Sequence, residues 1–389
     1  MKRILTLSLV CITFLTFKIQ AQEQNRAITT ATPFLLIAAD ARAAGLGDQG
    51  VATSADAFSQ QWNPAKYVYV KNKQGVGVNY TPYLSNLVND IFLGNVNYYN
   101  RINERSAVAA SFRYFSLGDI EFRQGPNDEP NVQKPNELTL DISYALKLDD
   151  RFSMAVAGRY LRSDLRLQGL GADASAAGSF GVDIAGFYRS DEIAFNSFNG
   201  RWRAGATISN IGPKIKYDDA GQENFIPTNF RLGGAFDFIF NEDNRITPSI
   251  EFSKLLVPTP LDPDTDGDGV ITAEEQQIAN DEYNDKSAFG SIFSSWGDAP
   301  DGFSEELKEI TWSLGAEYMY RDVFAFRAGY FNESEEKGAR KFLSLGTGFR
   351  YNIVNLDISY LFSTSAVKSP LEGTLRFGLS FNFGDEYND

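Results

Sequence analysis

The sequence predicts an all-β fold: a transmembrane antiparallel β-barrel of about fourteen strands that follows an N-terminal plug-like segment. Three observations favour this fold class. First, apolar and polar residues alternate within about fourteen segments of the chain. Second, the connections between these segments are short and long by turns. Third, the last segment ends on two aromatic residues that are separated by one residue. A period of two residues gives a strand one apolar face for lipid and one polar face for the lumen of a barrel.

The last segment carries this pattern most clearly. Leu375, Phe377, Leu379, Phe381 and Phe383 alternate with small or polar residues. A glycine followed by two aromatic residues one position apart resembles the C-terminal insertion signal of outer-membrane barrels. Such a strand is expected to pair with the first strand, so that no edge is left unpaired in lipid. Residues 384–389 are then expected to form a short periplasmic tail.

The barrel is predicted over residues 74–383. Each alternating segment has about the length that a tilted strand needs to cross a bilayer. The predicted strands are Gln74–Tyr83, Asp90–Arg101, Ser106–Leu117, Glu137–Leu148, Phe152–Leu165, Ala174–Arg189, Arg201–Ile211, Pro227–Phe240, Asn244–Leu256, Glu309–Tyr320, Val323–Phe331, Lys341–Tyr351, Asn355–Phe362 and Leu371–Phe383.

The connections indicate the orientation of these strands. Most connections that follow even-numbered strands are short, such as Arg321-Asp322, whereas most that follow odd-numbered strands are long. The longest covers residues 257–308. Outer-membrane barrels have short turns in the periplasm and long loops outside the cell. An even number of strands therefore places both chain ends in the periplasm.

The N-terminus has the pattern of a signal peptide over residues 1–21. Lys2 and Arg3 precede an apolar run that is too short to span a bilayer, and Ala21 precedes the predicted cleavage site. Val10 does not suit a lipoprotein cleavage site before Cys11, so no lipid anchor is expected. Residues 22–73, rich in small residues, are predicted to fold inside the barrel or at its periplasmic mouth, because small side chains allow close backbone packing.

Composition excludes several functions. The chain has no histidine, and its single cysteine, Cys11, lies in the predicted signal peptide. Ser-His and Cys-His catalysis and imidazole metal sites are therefore impossible. A net charge of −14 argues against nucleic-acid binding.

Residues 264–275 match the calcium-binding loop of an EF-hand. Carboxylates stand at positions 1, 3 and 5, a glycine at position 6, a backbone carbonyl at position 7 and a glutamate at position 12. The predicted metal ligands are Asp264, Asp266, Asp268, Val270, Thr272 and Glu275. A short helix is expected over residues 273–278. The predicted role of Ca²⁺ is structural, and a solvated acidic loop without bound metal is the alternative.

The N-terminal block resembles the PorV family of the type IX secretion system, whose members are FadL-like fourteen-stranded outer-membrane barrels of Bacteroidetes. The resemblance lies in residues 34–47, Gly50-Val-Ala52 and residues 63–65, and its motif residues are Asp40, Arg42, Gly45, Gly47, Asn63, Pro64 and Ala65. A structural interpretation is also open for these residues. Asp40 and Arg42 would form a buried ion pair that holds the plug, and Asn63-Pro64-Ala65 would form a turn.

The resemblance implies a non-enzymatic protein in the outer membrane of a Gram-negative bacterium, in contact with outer-membrane lipid. It implies that the protein binds cargo with a C-terminal secretion domain at a giant translocon barrel and passes that cargo to the surface attachment (sortase) machinery. Two alternatives compete with this function. One is a FadL-like transporter of hydrophobic small molecules. The other is an outer-membrane enzyme such as a lipid A deacylase, which the lack of histidine and of a distinct carboxylate pair disfavours.

Overall fold

The computed structural model describes residues 26–85, 87–123, 129–165, 175–217, 222–266 and 268–387. The predicted signal peptide lies outside the described residues. Among the described residues, no helix has the length and apolar character needed to cross a membrane.

Fourteen antiparallel strands form the wall of a closed barrel, as the sequence predicts. Each predicted strand is present, with its ends within four residues of the predicted ones. The strands are β1 Asn72–Pro82, β2 Ile91–Arg101, β3 Ser106–Leu117, β4 Asn136–Lys147, β5 Phe152–Asp164, β6 Ala177–Arg189, β7 Asn199–Ile211, β8 Asn229–Ile239, β9 Asn244–Leu255, β10 Thr311–Tyr320, β11 Phe324–Asn332, β12 Lys341–Tyr351, β13 Val354–Ser363 and β14 Leu375–Glu386.

The barrel closes where the last strand pairs with the first. The register of β14 against β1 runs from Glu386 opposite Asn72 to Phe377 opposite Tyr80. This pairing confirms the predicted closure. It also corrects the expected tail, because β14 continues to Glu386 rather than ending at Phe383. The reason is that β1 begins at Asn72 and offers those last residues a partner.

The two faces of the wall differ as the alternation predicts. In β14, Phe377 and Leu379 are exposed on the outer face, whereas Arg376 and Ser380 are buried on the inner face. The same separation of exposed apolar residues from buried polar residues is found in the other strands of the barrel. The outer face is therefore apolar, as contact with lipid requires, and the inner face carries the charges.

The connections hold further elements that the sequence did not predict. The connection between β3 and β4 contains a hairpin of Ile120–Phe122 with Asn131–Gln133, and a two-residue strand, Ile193–Ala194, pairs with the start of β7. The helices, including the two short ones of the N-terminal segment, are α1 Ala41–Ala44, α2 Ser59–Trp62, α3 Ala273–Asp285, α4 Ala288–Ser294 and α5 Phe303–Lys308. The helix expected over residues 273–278 is thus longer, and α4 and α5 were not predicted.

The described part of the chain before β1, residues 26–71, is here called the N-terminal segment. It contains α1, α2 and the 3₁₀ helices Pro33–Leu36 and Pro64–Tyr69. Most of its side chains are buried, and it contacts inward-facing residues of several strands. The segment therefore lies on the inner side of the wall. That it blocks passage through the barrel stays a prediction.

Candidate functional site

The N-terminal segment lies directly on inward-facing glycines of the wall. A methyl group on Gly329 of β11 would come within 2.1 Å of the backbone nitrogen of Gly47, and one on Gly205 of β7 within 2.2 Å of the Val51 carbonyl oxygen. On Gly315 of β10 it would lie 2.9 Å from the Leu46 carbonyl oxygen. Only glycine lets two backbones approach this closely.

The glycines of the family motif form the other side of this contact. A methyl group on Gly45 would lie 3.0 Å from the Cα atom of Gly346 in β12. Gly47 has a φ of +80° and lies against the backbone of Tyr330 in β11. Gly45 and Gly47 thus serve close approach, and Gly47 also serves a left-handed backbone conformation.

Arg42 connects the N-terminal segment to the wall through buried ion pairs. Its Nε and Nη2 atoms donate to the two carboxylate oxygens of Glu317 in β10 at 3.1 and 3.0 Å. Its Nη1 atom donates to Asp56 at 2.7 Å, within the segment. Glu317 also accepts from Arg327 of β11 at 2.7 Å. The planar guanidinium group suits this two-pronged pairing, which fixes both the position and the orientation of α1.

Asp40 does not pair with Arg42, so the interpretation of these residues as one ion pair is wrong. Asp40 is the N-cap of α1, and its Oδ1 atom accepts from the backbone N–H of Ala43 at 2.7 Å. Its Oδ2 atom accepts from the indole N–H of Trp62 at 2.5 Å. The carboxylate is thus turned back over the first turn of α1, whereas Arg42 reaches the wall. Burial raises the pKa of Asp40 to about 6, and repulsion from Asp56 acts in the same direction.

Asn63, Pro64 and Ala65 form the turn between α2 and the following 3₁₀ helix. The Asn63 Oδ1 atom accepts from the backbone N–H of Ala65 at 3.1 Å. Its Nδ2 atom donates to the carbonyl oxygens of Val51 at 3.1 Å and of Gly186, in β6, at 2.9 Å. Pro64 occupies the first helical position, where its missing N–H costs no hydrogen bond. The turn therefore also attaches the segment to the wall.

The acidic loop brings together three of the predicted calcium ligands. Carboxylate oxygens of Asp264, Asp266 and Asp268 lie within 4.8 Å of one another. Gly269 has a φ of +80°, as the sharp turn at position 6 of such a loop requires, and its N–H donates to Asp264 at 3.0 Å. The three carboxylates thus converge as the loop spacing predicts.

Glu275 lies outside this group of carboxylates. It forms a capping box with Thr272 at the start of α3, where one carboxylate oxygen accepts from the backbone N–H of Thr272 at 2.9 Å. Hydrogen bonds from the backbone and hydroxyl of Thr272 lower the pKa of Glu275 to about 2. The other carboxylate oxygen accepts from the backbone N–H and the hydroxyl of Thr265, at position 2 of the loop, at 3.3 and 3.1 Å, so Glu275 contacts both α3 and the loop. Val270 is exposed, and Thr272 is the N-cap residue of α3.

Two large cavities lie at opposite ends of the N-terminal segment in the described part of the chain. One, of about 620 Å³, is lined by charged residues beside the short turns, including Asp322 and Arg350. The other, of about 630 Å³, lies at the end of the long loops and includes Phe34, Phe115 and Phe331 in its lining. The first suits water and polar groups, whereas the second can hold an apolar ligand.

Solved structures of outer-membrane channels are similar to this chain in fold. The deltaS2S3 mutant of the TodX monoaromatic hydrocarbon channel is 11% identical, with a TM-score of 0.51 over 88% of this chain and 98% of that one. A FadL homologue of Pseudomonas aeruginosa is 13% identical, with a TM-score of 0.45 over 92% and 99%. The toluene transporter TbuX of Ralstonia pickettii is 12% identical, with a TM-score of 0.46 over 90% and 100%. The fold is that of a FadL-like outer-membrane barrel.

The family comparison is more specific than the fold. Residues 20–262 match the family model of PorV, described as type IX secretion system protein PorV. This match covers more than half of the chain, and the protein belongs to the PorV family. It is a multi-pass protein of the Gram-negative outer membrane and, by its family, a component of type IX secretion. A search of the curated proteins finds no match.

Proposed function

We propose that the protein binds cargo carrying a C-terminal secretion domain at a giant outer-membrane translocon barrel and delivers it to the surface attachment machinery. The PorV family places the chain in type IX secretion, and the proposal adds its role there. The partners would be the translocon, the cargo and the attachment (sortase) machinery.

The observation that carries this role is the attachment of the N-terminal segment to the inner wall. The segment is fixed by the Arg42–Glu317 pair and by backbone contacts at Gly205 and Gly329. Withdrawing the segment would leave Glu317 without one of its two arginine partners, and loss of one partner of a buried pair costs about 3–5 kcal/mol. A protein cargo would have to displace the whole segment in order to cross this lumen. We therefore infer that cargo passes beside this barrel, and that the barrel acts through its surface.

The same contacts favour a role without catalysis. The inward-facing charges near the segment are used in pairing, as in the bonds of Glu317 and Asp357 to Arg327 at 2.7 and 2.6 Å. Because the chain also lacks histidine, the usual base at neutral pH is missing.

Affinity purification from native outer membranes tests the proposal. The full-length protein with a C-terminal tag would be isolated in mild detergent, and co-purifying proteins would be identified by mass spectrometry. An unrelated tagged outer-membrane barrel from the same cells is the control. We expect a giant barrel protein and proteins with a shared C-terminal domain to co-purify with this chain alone. Their absence after cross-linking in intact cells would contradict the proposal.

The apolar cavity supports transport of hydrophobic small molecules as the second candidate function. Its lining residues Phe34 and Ile37 come from the N-terminal segment, while Phe115 and Phe331 come from β3 and β11. A small apolar molecule could enter this cavity from the side of the long loops. Organic extraction of the purified protein, followed by mass spectrometry, tests this function. A bound hydrophobic molecule together with no protein partner would favour transport over cargo handling.

We also propose that residues 264–275 bind Ca²⁺ and thereby stabilise the long loop. The converging carboxylates of Asp264, Asp266 and Asp268 support this proposal, because a hard cation prefers oxygen ligands and relieves the repulsion between them. Val270 would contribute its carbonyl oxygen, with Thr272 at position 9. Glu275 would complete the site through its Oε1 atom, which would exchange its hydrogen bonds from Thr265 for the cation.

Isothermal titration calorimetry tests the calcium site. The parent should bind Ca²⁺ with a dissociation constant in the range of about 10⁻⁴–10⁻³ M that is usual for extracellular sites. The Asp264→Asn/Glu275→Gln double variant should lose this binding. Asp281→Asn/Glu282→Gln in α3 removes the same charge outside the loop and should bind like the parent. No heat of binding in the parent at millimolar Ca²⁺ would contradict the proposal.

A further inference from the structure

The long loop carries exposed apolar side chains on one face of α4. Phe289 and Phe293 are four residues apart and therefore lie on the same side of α4, and Trp296 follows in the turn two residues after the helix ends. Their exposed fractions are 58%, 81% and 50%. Ser291, on the opposite side, is fully buried. The helix thus contacts the rest of the loop through its small polar residue and leaves its aromatic face uncovered.

The neighbouring helix α5 shows the same arrangement. Phe303 and Leu307, one turn apart, are 77% and 53% exposed. Glu305 and Glu306 between them are buried on the other side of the helix. Glu306 pairs there with Lys254 of β9 at 3.0 Å. Charged residues therefore attach α5 to the barrel, and its apolar residues face away.

The uncovered face begins at the outer wall of the barrel. The ring of Trp296 lies 5.6 Å from the ring of Phe230, near the start of β8. Phe230 alternates with Arg231, which faces the lumen, so Phe230 is on the outer face. Two residues further along β8, Leu232 stands opposite Phe252 of the neighbouring strand β9, and both side chains are exposed toward lipid. Two residues of a strand span about 7 Å, so Trp296 lies at the edge of the lipid-facing surface.

The strand that follows α5 continues this surface. Trp312 of β10 stands opposite Phe252 of β9 and therefore shares its outward direction. Its ring lies 5.6 Å from that of Tyr330 in β11. Aromatic residues at the ends of barrel strands mark the level of the lipid headgroups. Trp296, between α4 and α5, and Trp312, after α5, are thus both at this level.

We propose that α4 and α5 lie in the outer leaflet of the membrane as an interfacial anchor, with Phe289, Phe293, Trp296, Phe303 and Leu307 in contact with lipid acyl chains. Continuity with the lipid-facing wall determines this occupant, because any partner covering these residues would have to replace lipid at Leu232 and Phe252 as well. Amphipathic helices with Trp, Phe and Leu on one face bind with that face in the boundary between headgroups and acyl chains. The anchor holds the long loop flat against the rim of the barrel.

Fluorescence quenching by brominated lipids tests the proposal on the intact protein. Single cysteines would replace Phe293, Phe303 or, as a control in the acidic part of the loop, Glu274, in a Cys11→Ala background. Each variant would carry a bimane label and be reconstituted into phosphatidylcholine vesicles with or without bromine on the acyl chains. Brominated lipid is present in both leaflets, so the orientation of the protein does not matter.

We expect brominated lipid to quench the labels at positions 293 and 303 and to leave the label at position 274 unchanged. Aqueous iodide should quench the label at position 274 more strongly than the labels at positions 293 and 303. Equal quenching by iodide at all three positions, with no effect of bromine, would overturn the proposal. Protection of 293 and 303 from iodide only in native membranes, and not in vesicles, would also overturn it and would point to a protein partner on this face.

Discussion

Gly329→Ala should weaken the docking of the N-terminal segment without opening the barrel. Within β11, alanine is tolerated, and Gly329 stands opposite Gly315, so the substitution meets no bulky neighbour in the strand pair. The new methyl group, however, would lie 2.1 Å from the backbone of Leu46 and Gly47, where ordinary contact begins at 3.4 Å. The segment must therefore withdraw by more than 1 Å, and withdrawal breaks the contacts on either side of it.

The size of the effect follows from overpacking. An extra methyl group in a packed interior costs about 1–3 kcal/mol, and we expect the upper half of this range because both clashing groups are backbone atoms. A loss of about 2–3 kcal/mol in the stability of the docked segment raises its opening equilibrium about 30- to 150-fold. Hydrogen exchange measured by mass spectrometry over residues 41–51 should accelerate by that factor.

Gly181→Ala is the matched control for this prediction. Gly181 also faces inward, in β6, but a methyl group there would lie 3.6 Å from its nearest neighbour, which is ordinary contact. We expect no change in the exchange of the segment in this variant, and heat-resistant migration of the barrel on gels in both. Parent-like exchange in Gly329→Ala, or equal acceleration in the two variants, would refute the role assigned to the wall glycines.

Three further predictions concern topology, assembly and pH. A single cysteine at Glu274 should be labelled on intact cells and one at Asp322 only after the outer membrane is opened; the reverse result would invert the barrel. Replacing Phe381 and Phe383 with serine should lower the amount of protein in the outer membrane, measured by immunoblot, because polar groups then face lipid in the closing strand. Burial raises the pKa of Asp40 from 3.8 to about 6, so the contribution of Asp40 to docking should be fully present at about pH 4 and be lost as the pH rises through about 6. Exchange of the segment, corrected for its intrinsic pH dependence, should accelerate over that range in the parent and stay flat in Asp40→Asn.

The wall of the barrel could be predicted from sequence because alternation records which face each residue occupies. In β12 the predicted ends, Lys341 and Tyr351, are the observed ones. A strand between lipid and a charged lumen must alternate over its whole length, so its ends are visible in the sequence. The short helices α4 and α5 carry no comparable signal, since the apolar residues of a short helix are too few to define a period.

The partners of the motif residues could not be predicted in the same way. Arg42 and Glu317 are 275 residues apart, and their contact depends on where the N-terminal segment settles inside a completed barrel. Proximity in sequence favoured Asp40 as the partner of Arg42. In the fold, Asp40 caps α1 and does not pair with Arg42. Its carboxylate accepts from the N–H of Ala43, which has no partner within the first turn of α1.

One signal for the docking surface was nevertheless present in the sequence. Glycine weakens a strand and is expected there only where another group approaches closely. Gly205 of β7 stands opposite Gly233 of β8, and Gly315 of β10 stands opposite Gly329 of β11. Each of these two pairs of glycines faces inward. All four meet residues of the N-terminal segment, whereas a methyl group on Gly158 of β5, on the outer face, would have no neighbour within 4 Å. Facing pairs of inward glycines therefore mark the place where a second backbone lies on the wall, and predicted strand register is enough to find them.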